Sequence, residues 1–395
     1  MKTAVWLYLF MFVAFFDLHA QYPMLSPFAL SLGAAPSFIG LIMGVYSLTH
    51  LPGNLLAGIG VDRYGSKYFI VGSLLTAGTV LVLQSQVTNP WQLLWVRSIS
   101  GFVLAFLSPA CLSMLAKIAK DRVQQGKLMA GNGFVHTLAS VGSPAAGAFL
   151  VAKLGFTTSF LVLGWGLIAT GVLAIFGVRE TKQMRNQHAP QLDDAHGHGA
   201  PQAGAADMQD EHASAGKIPW LFFGIPLALS CSQGILFFEL PLMKAAMESI
   251  VTSGLLFSMV SLGALATLSL LFLNRIAPLL RVVAGSLSLA LVFFGMAVEW
   301  PLPLVVSLFM IGMAKGVIYP AIATLLAGHT SRSRYGRVFS LLSISYSLGA
   351  FFGPTVAGHL REALSPYFVA FVVLMIGLSL LPFNRFRLLG SQTAG

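Results

Sequence analysis

Gly40-Leu41-Ile42-Met43-Gly44-Val45-Tyr46-Ser47-Leu48 returns as Gly254-Leu255-Leu256-Phe257-Ser258-Met259-Val260-Ser261-Leu262, displaced by 214 positions. At the same displacement Pro27 falls on Pro241. Gly101 and Pro109 fall on Gly312 and Pro320 at a shift of 211, and Ser143-Pro144 falls on Gly353-Pro354 at 210. One half of the chain is a parallel repeat of the other.

Both copies sit in apolar runs long enough to cross a bilayer, which takes roughly 20 residues for about 30 Å of hydrocarbon. Twelve such runs are expected, at 4–31, 36–59, 68–87, 91–116, 128–152, 156–178, 218–243, 251–273, 282–298, 302–328, 338–359 and 366–384. The composition agrees: 56% of residues are hydrophobic and 9% charged, where a soluble domain carries about 25% charge. The expected fold class is an all-α integral membrane protein of twelve transmembrane helices in two pseudo-symmetric six-helix bundles. Lys2, the following apolar stretch and Leu18-His19-Ala20 resemble a secretory leader with its cleavage site. Asp17 and the continuation through Pro23 and Pro27 to Leu32 speak against that, and the run is read as a retained first helix.

Between the sixth and seventh runs the sequence turns abruptly to His, Asp, Ala, Gly and Gln. The expected organisation is an N-terminal bundle at 1–179, a disordered cytoplasmic linker at 180–217 and a C-terminal bundle at 218–395. The linker holds His188, His196, His198 and His212 with Asp193, Asp194, Asp210 and Glu211, in no spacing that fixes a metal geometry. We therefore read a solvated linker. Cys111 and Cys231 both lie inside apolar runs, which excludes a disulfide framework.

With both termini in the cytoplasm, 18 of the 23 Lys and Arg residues fall in inner loops or termini. Only Lys153, Lys244 and Arg361 fall outside, and Arg97 and Lys315 lie within spans. Basic loops resist translocation, so this bias sets the expected orientation. It also assigns the net charge of +10 to anionic lipid instead of a nucleic acid. Phosphate loops, zinc spacings, haem signatures and nucleophile elbows do not occur, so neither an enzyme nor a cofactor is expected.

The loop after the second span reads Gly58-Ile59-Gly60-Val61-Asp62-Arg63-Tyr64-Gly65-Ser66-Lys67. It resembles the G-x-L-A-D-R-x-G-R-K signature of the major facilitator superfamily at the first Gly, the Asp, the Arg, the second Gly and the final Lys. Leu93-x-x-x-Arg97-x-x-x-Gly101 in the fourth span is similar to that family's membrane-embedded arginine motif. Gly142, Pro144 and Gly147 in the fifth span and Gly349, Gly353 and Pro354 in the eleventh resemble the G-x-x-x-G-P-x-x-G-G pattern of its proton-linked exporters. In the fifth span Ala139, Ser143 and Ala148 replace glycines of the pattern, and Pro23-x-x-x-Pro27 resembles an exporter proline pair with one extra residue.

The resemblance implies a proton-coupled secondary transporter of the cell membrane that alternates access between two bundles. It implies export of small amphipathic compounds, with protons and membrane lipids as partners and a monomer as the working unit. The alternatives are a symporter importing an organic anion or nutrient and a lipid-handling member of the same fold. Gly58, Asp62, Arg63, Gly65 and Lys67 would form a cytoplasmic latch that stabilises the outward-open state. The small residues and prolines of the fifth and eleventh spans would serve close helix packing and bending.

Ionisable residues inside spans cost at least a few kcal/mol on insertion scales, which makes them the candidates for coupling and substrate binding. Asp17 lies about 20 Å from the start of its helix, at roughly 1.5 Å per residue. Arg97 lies about 9 Å from the outer face, so in a slab of about 30 Å the two reach similar depth. A pair of Asp17 and Arg97 is expected, with Asp17 exchanging its proton against substrate. His19 is a candidate cavity residue on another face of the first helix, and Lys315 either attracts an anionic substrate or balances a carboxylate. Glu239 is expected at the outer interface, with a transport role as the lesser reading. Tyr22, Phe237 and Phe238 are candidate contacts of a greasy substrate, and His50 and His136 are read as helix-helix hydrogen bonders.

Overall fold

The computed structural model describes residues 2–119, 121–178, 220–270, 273, 275–328 and 335–381. The expected linker at 180–217 and its histidines lie outside the described residues, as do Lys120 and the chain after Leu381. Among the described residues, ten helices are long and apolar enough to cross a membrane, and Pro366–Ser379 is a shorter apolar helix. One of the ten counts twice. Helix Arg122–Gly177 is broken at Gly155, whose backbone (φ 77°, ψ 172°) lies where glycine alone enters readily, and it supplies the fifth and sixth spans. The total is the expected twelve.

Two spans are broken where the sequence reading had them continuous. The first consists of Lys2–Ala20 and Tyr22–Ser31, interrupted at Gln21 just ahead of Pro23. The fourth consists of Pro90–Leu104 and Leu107–Ile118, interrupted ahead of Pro109. In both, a proline that cannot donate to the preceding turn explains the break. The second and third spans, Pro36–Tyr64 and Ser66–Gln84, meet at Gly65, whose φ of 93° turns the chain within one residue. The second half contains Gly224–Glu239, Ile250–Ser269, Pro278–Ala297, Leu304–Gly328, Tyr335–Leu360 and Pro366–Ser379 as the seventh to twelfth spans.

The repeat is visible as packing. Within the first half, Gly101 of the fourth span lies against the Tyr46 carbonyl of the second; within the other, Gly312 of the tenth lies against the Val260 carbonyl of the eighth. Between the halves, Gly40 of the second span lies on the Pro354 carbonyl of the eleventh, and Gly254 of the eighth lies on the Pro144 carbonyl of the fifth. Gly40 and Gly254 are repeat partners, as are Pro144 and Pro354. A side chain at either glycine would collide with backbone, so the two halves approach at van der Waals distance only because these positions carry none.

These contacts between halves lie toward one end of the spans, where Gly44 meets Phe351 and Gly358 meets Pro36. Toward the opposite end, where Gly65 turns the chain, Leu55, Ile59 and Leu268 are exposed. The molecule is closed at the Pro36 end and open at the Gly65 end.

Gly147 packs against Ala20, and Gly349 and Gly353 pack against the Leu227 and Cys231 carbonyls, as close helix packing requires. Gly142 does not. A Cβ there would meet nothing within 4 Å, because Gly142 is exposed on the helix face that carries Leu138 and Phe149, turned away from the cavity-lining Ser140 and Pro144, so its expected packing role is corrected. Gly58 likewise faces open space in this conformation.

Candidate functional site

Asp17 is carried near the C-terminal end of helix Lys2–Ala20 and is buried at 3% exposure. Its partner is Gln21, four residues on, at the spacing that stacks side chains on one helix face. Gln21 Nε2 donates to Asp17 Oδ2 at 3.0 Å, while Arg97 Nη1 donates to Gln21 Oε1 at 3.0 Å. Gln84 Nε2, from the end of the third span, reaches the same Gln21 oxygen at 3.4 Å. The Arg97 guanidinium also lies 4.7 Å from the ring centroid of Tyr46, over a face that attracts cations. Thus Asp17 and Arg97 share one polar chain but do not touch. Asp17 Oδ1, Gln84 Oε1 and Arg97 Nε have no hydrogen-bond partner among the described residues.

This chain borders a cavity of about 250 Å³ lined by Gln21, Tyr22, Tyr46, Arg97, Gln233 and Tyr346, among others. A second cavity of about 460 Å³ shares Tyr22, Gln233, Phe237 and Tyr319 with it and extends past Thr137 and Leu268 toward the open end. His19, His136 and Lys315 line the larger space. The imidazoles of His19 and His136 meet edge to face at 5.3 Å between centroids. His19 Nδ1 donates to the Phe15 carbonyl at 2.7 Å, and that bond fixes the proton on this nitrogen. Lys315 Nζ sits 5.6 Å from the centroid of Phe237 and 6.0 Å from that of Tyr319. Tyr22 and Phe237 lie 4.3 Å apart between centroids and form an aromatic wall with Phe257.

Of the residues singled out in the sequence, the structure brings Arg97, His19, His136, Lys315, Tyr22 and Phe237 to the central space. His136 faces the cavity, where its ring meets those of Phe15 and His19 in place of the helix-helix hydrogen bond expected of it. His50 bonds Asn54 at 2.9 Å on its own helix. Phe238 is fully buried in packing. Glu239 stands apart. Arg361 Nε and Nη2 donate to its two carboxylate oxygens at 2.7 and 3.1 Å, with a further Nη2 bond to the Leu242 carbonyl at 3.3 Å. This pair closes the C-terminal half upon itself, away from both cavities; Glu239 sits at the last residue of its helix and is 8% exposed, held by Arg361.

In the loop motif, Asp62 and Arg63 occupy the last turn of the second span, and Lys67 Nζ donates to the Ile175 carbonyl at the end of the sixth span at 2.8 Å. The Asp62 side chain lies outside the described part of the structure. Gln21, Gln84, Tyr46 and Gln233 were not among the site residues expected from the sequence. The available signal was polarity inside apolar runs, and for Gln21 its position one turn from Asp17.

Twelve spans in two repeated bundles around a shared polar cavity, closed at one end and open at the other, define a membrane carrier. The chain matches the Major Facilitator Superfamily profile over residues 7–302 and again over 230–389, and it belongs to that family. It is a transporter and not an enzyme. An uncharacterized MFS-type transporter of Methanocaldococcus jannaschii is 30% identical over 148 residues, covering 37% of this chain and 38% of that protein. The multidrug resistance protein MdtG of Klebsiella pneumoniae is 24% identical over 373 residues, covering 90% of this chain and 85% of its own length. Among solved structures, a bacterial homologue of the human lysosomal transporter Spinster, in an inward-facing and occupied conformation, has the same fold. Its TM-score is 0.73 at 14% identity, over 98% of this chain and 96% of that one.

Proposed function

We propose that this protein is a proton-coupled secondary transporter that exports small amphipathic compounds by alternating access. The observation that carries the reading is the buried chain from Asp17 through Gln21 to Arg97 at the wall of the central cavity. A carboxylate is the one side chain in that chain able to take and release a proton under physiological conditions. With Asp17 ionised, its negative charge orients the Gln21 amide, and the amide carbonyl holds Arg97. A proton arriving on Oδ1, which accepts no bond from the described residues, removes that charge and loosens the hold on Gln21. Arg97, no longer held at the cavity wall, then binds the cavity contents less well. Proton and compound thus compete through one polar chain, as antiport requires.

Alternation is supported by the two repeated glycine-on-carbonyl contacts, Gly40 on Pro354 and Gly254 on Pro144. Their opening, with closure at the Gly65 end, gives the opposite state. Read with the positive-inside bias, the open end faces the cytoplasm and both termini lie there. The loop residues Gly58, Asp62, Arg63, Gly65 and Lys67 then form the latch that engages when this end closes. The similarity to a multidrug resistance protein over most of its length supports the export direction. The working unit is a monomer in the cell membrane.

The test uses inside-out vesicles with an acidified lumen. Addition of a transported compound is expected to collapse the proton gradient, and expression is expected to lower cellular accumulation of that compound. Raised accumulation in place of lowered accumulation would reverse the direction, and gradient-independent uptake would remove proton coupling.

A further inference from the structure

The two cavities are polar in one sense only. The larger carries Lys315, His19 and His136, and the smaller carries Arg97. Among the described residues, neither is lined by a carboxylate. Asp17 is covered by Gln21, Glu239 is engaged by Arg361, and Asp121 caps a helix by accepting from the Gln124 amide. Glu248, Glu299 and Glu362 lie outside the helices, in the connections between spans. Lys315 has no carboxylate partner among the described residues; its ammonium rests near the faces of Phe237 and Tyr319.

An ammonium inside a membrane span without a counter-charge is expensive, and such groups mark substrate paths. The neighbouring groups are arranged as further donors. Gln233 Oε1 already accepts from the Tyr319 hydroxyl at 2.8 Å, which leaves the Gln233 amide N–H groups to point elsewhere. On the other side Tyr22, Phe237 and Phe257 supply an apolar wall. A ligand complementary to this lining has an anionic head at Lys315 and an aromatic or alicyclic body against the wall. A cation placed there would face Lys315 at close range with no lining carboxylate among the described residues to offset the repulsion.

We infer that the central cavity binds amphipathic organic anions, with Lys315 as the residue that selects the charge. This rests on the transport reading above but not on the direction of transport or on proton coupling.

The experiment is equilibrium binding to the purified full chain in neutral-lipid nanodiscs, without any gradient. The probes are three molecules with one naphthalene body: a carboxylate, its neutral amide and the corresponding methylammonium. A fourth, an anionic lysophospholipid, separates a lipid source of the anion from a soluble one. The carboxylate is expected to bind about 10-fold or more tighter than the ammonium, the scale of one charge-assisted hydrogen bond. Lys315→Gln is expected to erase that preference while leaving binding of the amide in place, which also shows that the variant is folded. Lys315→Arg is expected to retain it.

Equal or tighter binding of the ammonium, an undiminished preference in Lys315→Gln, or no binding of any probe to folded protein overturns the inference. Preference for the lysophospholipid over the naphthoate sustains the charge selection and makes lipid its source. If the anion preference holds while vesicles show no proton movement, the coupling assigned to Asp17 fails and the charge selection stands. Coupled transport of the ammonium with no role for Lys315 gives the opposite result.

Discussion

Asp17 and Arg97 are joined through a single neutral side chain: the Gln21 amide donates to the carboxylate and its carbonyl accepts from the guanidinium, each at 3.0 Å. A direct ion pair would hold both charges static. An amide between them passes a change of charge at one end to the position of the other.

Gln21 is therefore expected to matter nearly as much as Asp17. Gln21→Leu removes two hydrogen bonds to charged groups, each worth about 1.5–3 kcal/mol. Gradient-driven transport should fall at least about 10-fold, as a loss of about 1.4 kcal/mol implies. Initial rates in vesicles containing equal amounts of protein check this. Unchanged rates would remove Gln21 from the coupling path.

The glycine contacts between halves make a conformational prediction. Gly40→Leu or Gly254→Leu places a side chain against the Pro354 or Pro144 carbonyl and should force the Pro36 end apart. Spin labels at Leu30 and Leu364, both exposed near that end, should report a longer mean distance in either variant. Gly142→Leu, which meets open space, should leave the distance as it is.

Glu239 is expected to serve stability and not coupling. Its carboxylate is held by Arg361, and this bidentate bond raises the pKa of that guanidinium, keeping it charged. Glu239→Gln should cost about 1–3 kcal/mol of stability, read as a lower Tm in detergent. The pH dependence of transport should stay that of the parent, and a displaced pH profile would return Glu239 to the coupling path.

Backbone at the turns gives a further contrast. Gly65→Ala and Gly155→Ala enter positive-φ positions, at 93° and 77°. Each should cost about 1–2 kcal/mol. Gly58→Ala, in a helix with open space around the added methyl, should be neutral or slightly stabilising. Thermal unfolding of the three variants decides it.

The span count, the repeat and the membrane class were legible because they rest on the length and periodicity of apolar runs, which no tertiary contact overrides. The shift of 214 that aligns Gly40 with Gly254 reappears as the same glycine-on-carbonyl contact in both halves. The site was legible in its charges, since Asp17, Arg97 and Lys315 stand out against apolar neighbours. It was not legible in its wiring. Gln21 and Gln84 carry no charge, so their cost in an apolar run is modest until the Arg97 side chain, 76 positions from Gln21, is seen bonded to it. Depth along the seventh span placed Glu239 near one end, but its partner Arg361 lies 122 positions away. The breaks at Gln21 and ahead of Pro109 depended on which prolines the packing would let the helix bend around. Pro320, the repeat partner of Pro109, sits inside an unbroken helix.

The central assignment is that a proton on Asp17 drives net transport while leaving the cavity itself competent. One measurement separates the two: exchange of a labelled compound across vesicles at equal pH, set beside its net transport under a pH gradient, for parent and Asp17→Asn. The neutral asparagine fixes the charge state, so exchange should persist and gradient-driven net transport should vanish. Full pH-driven transport by Asp17→Asn would contradict the assignment.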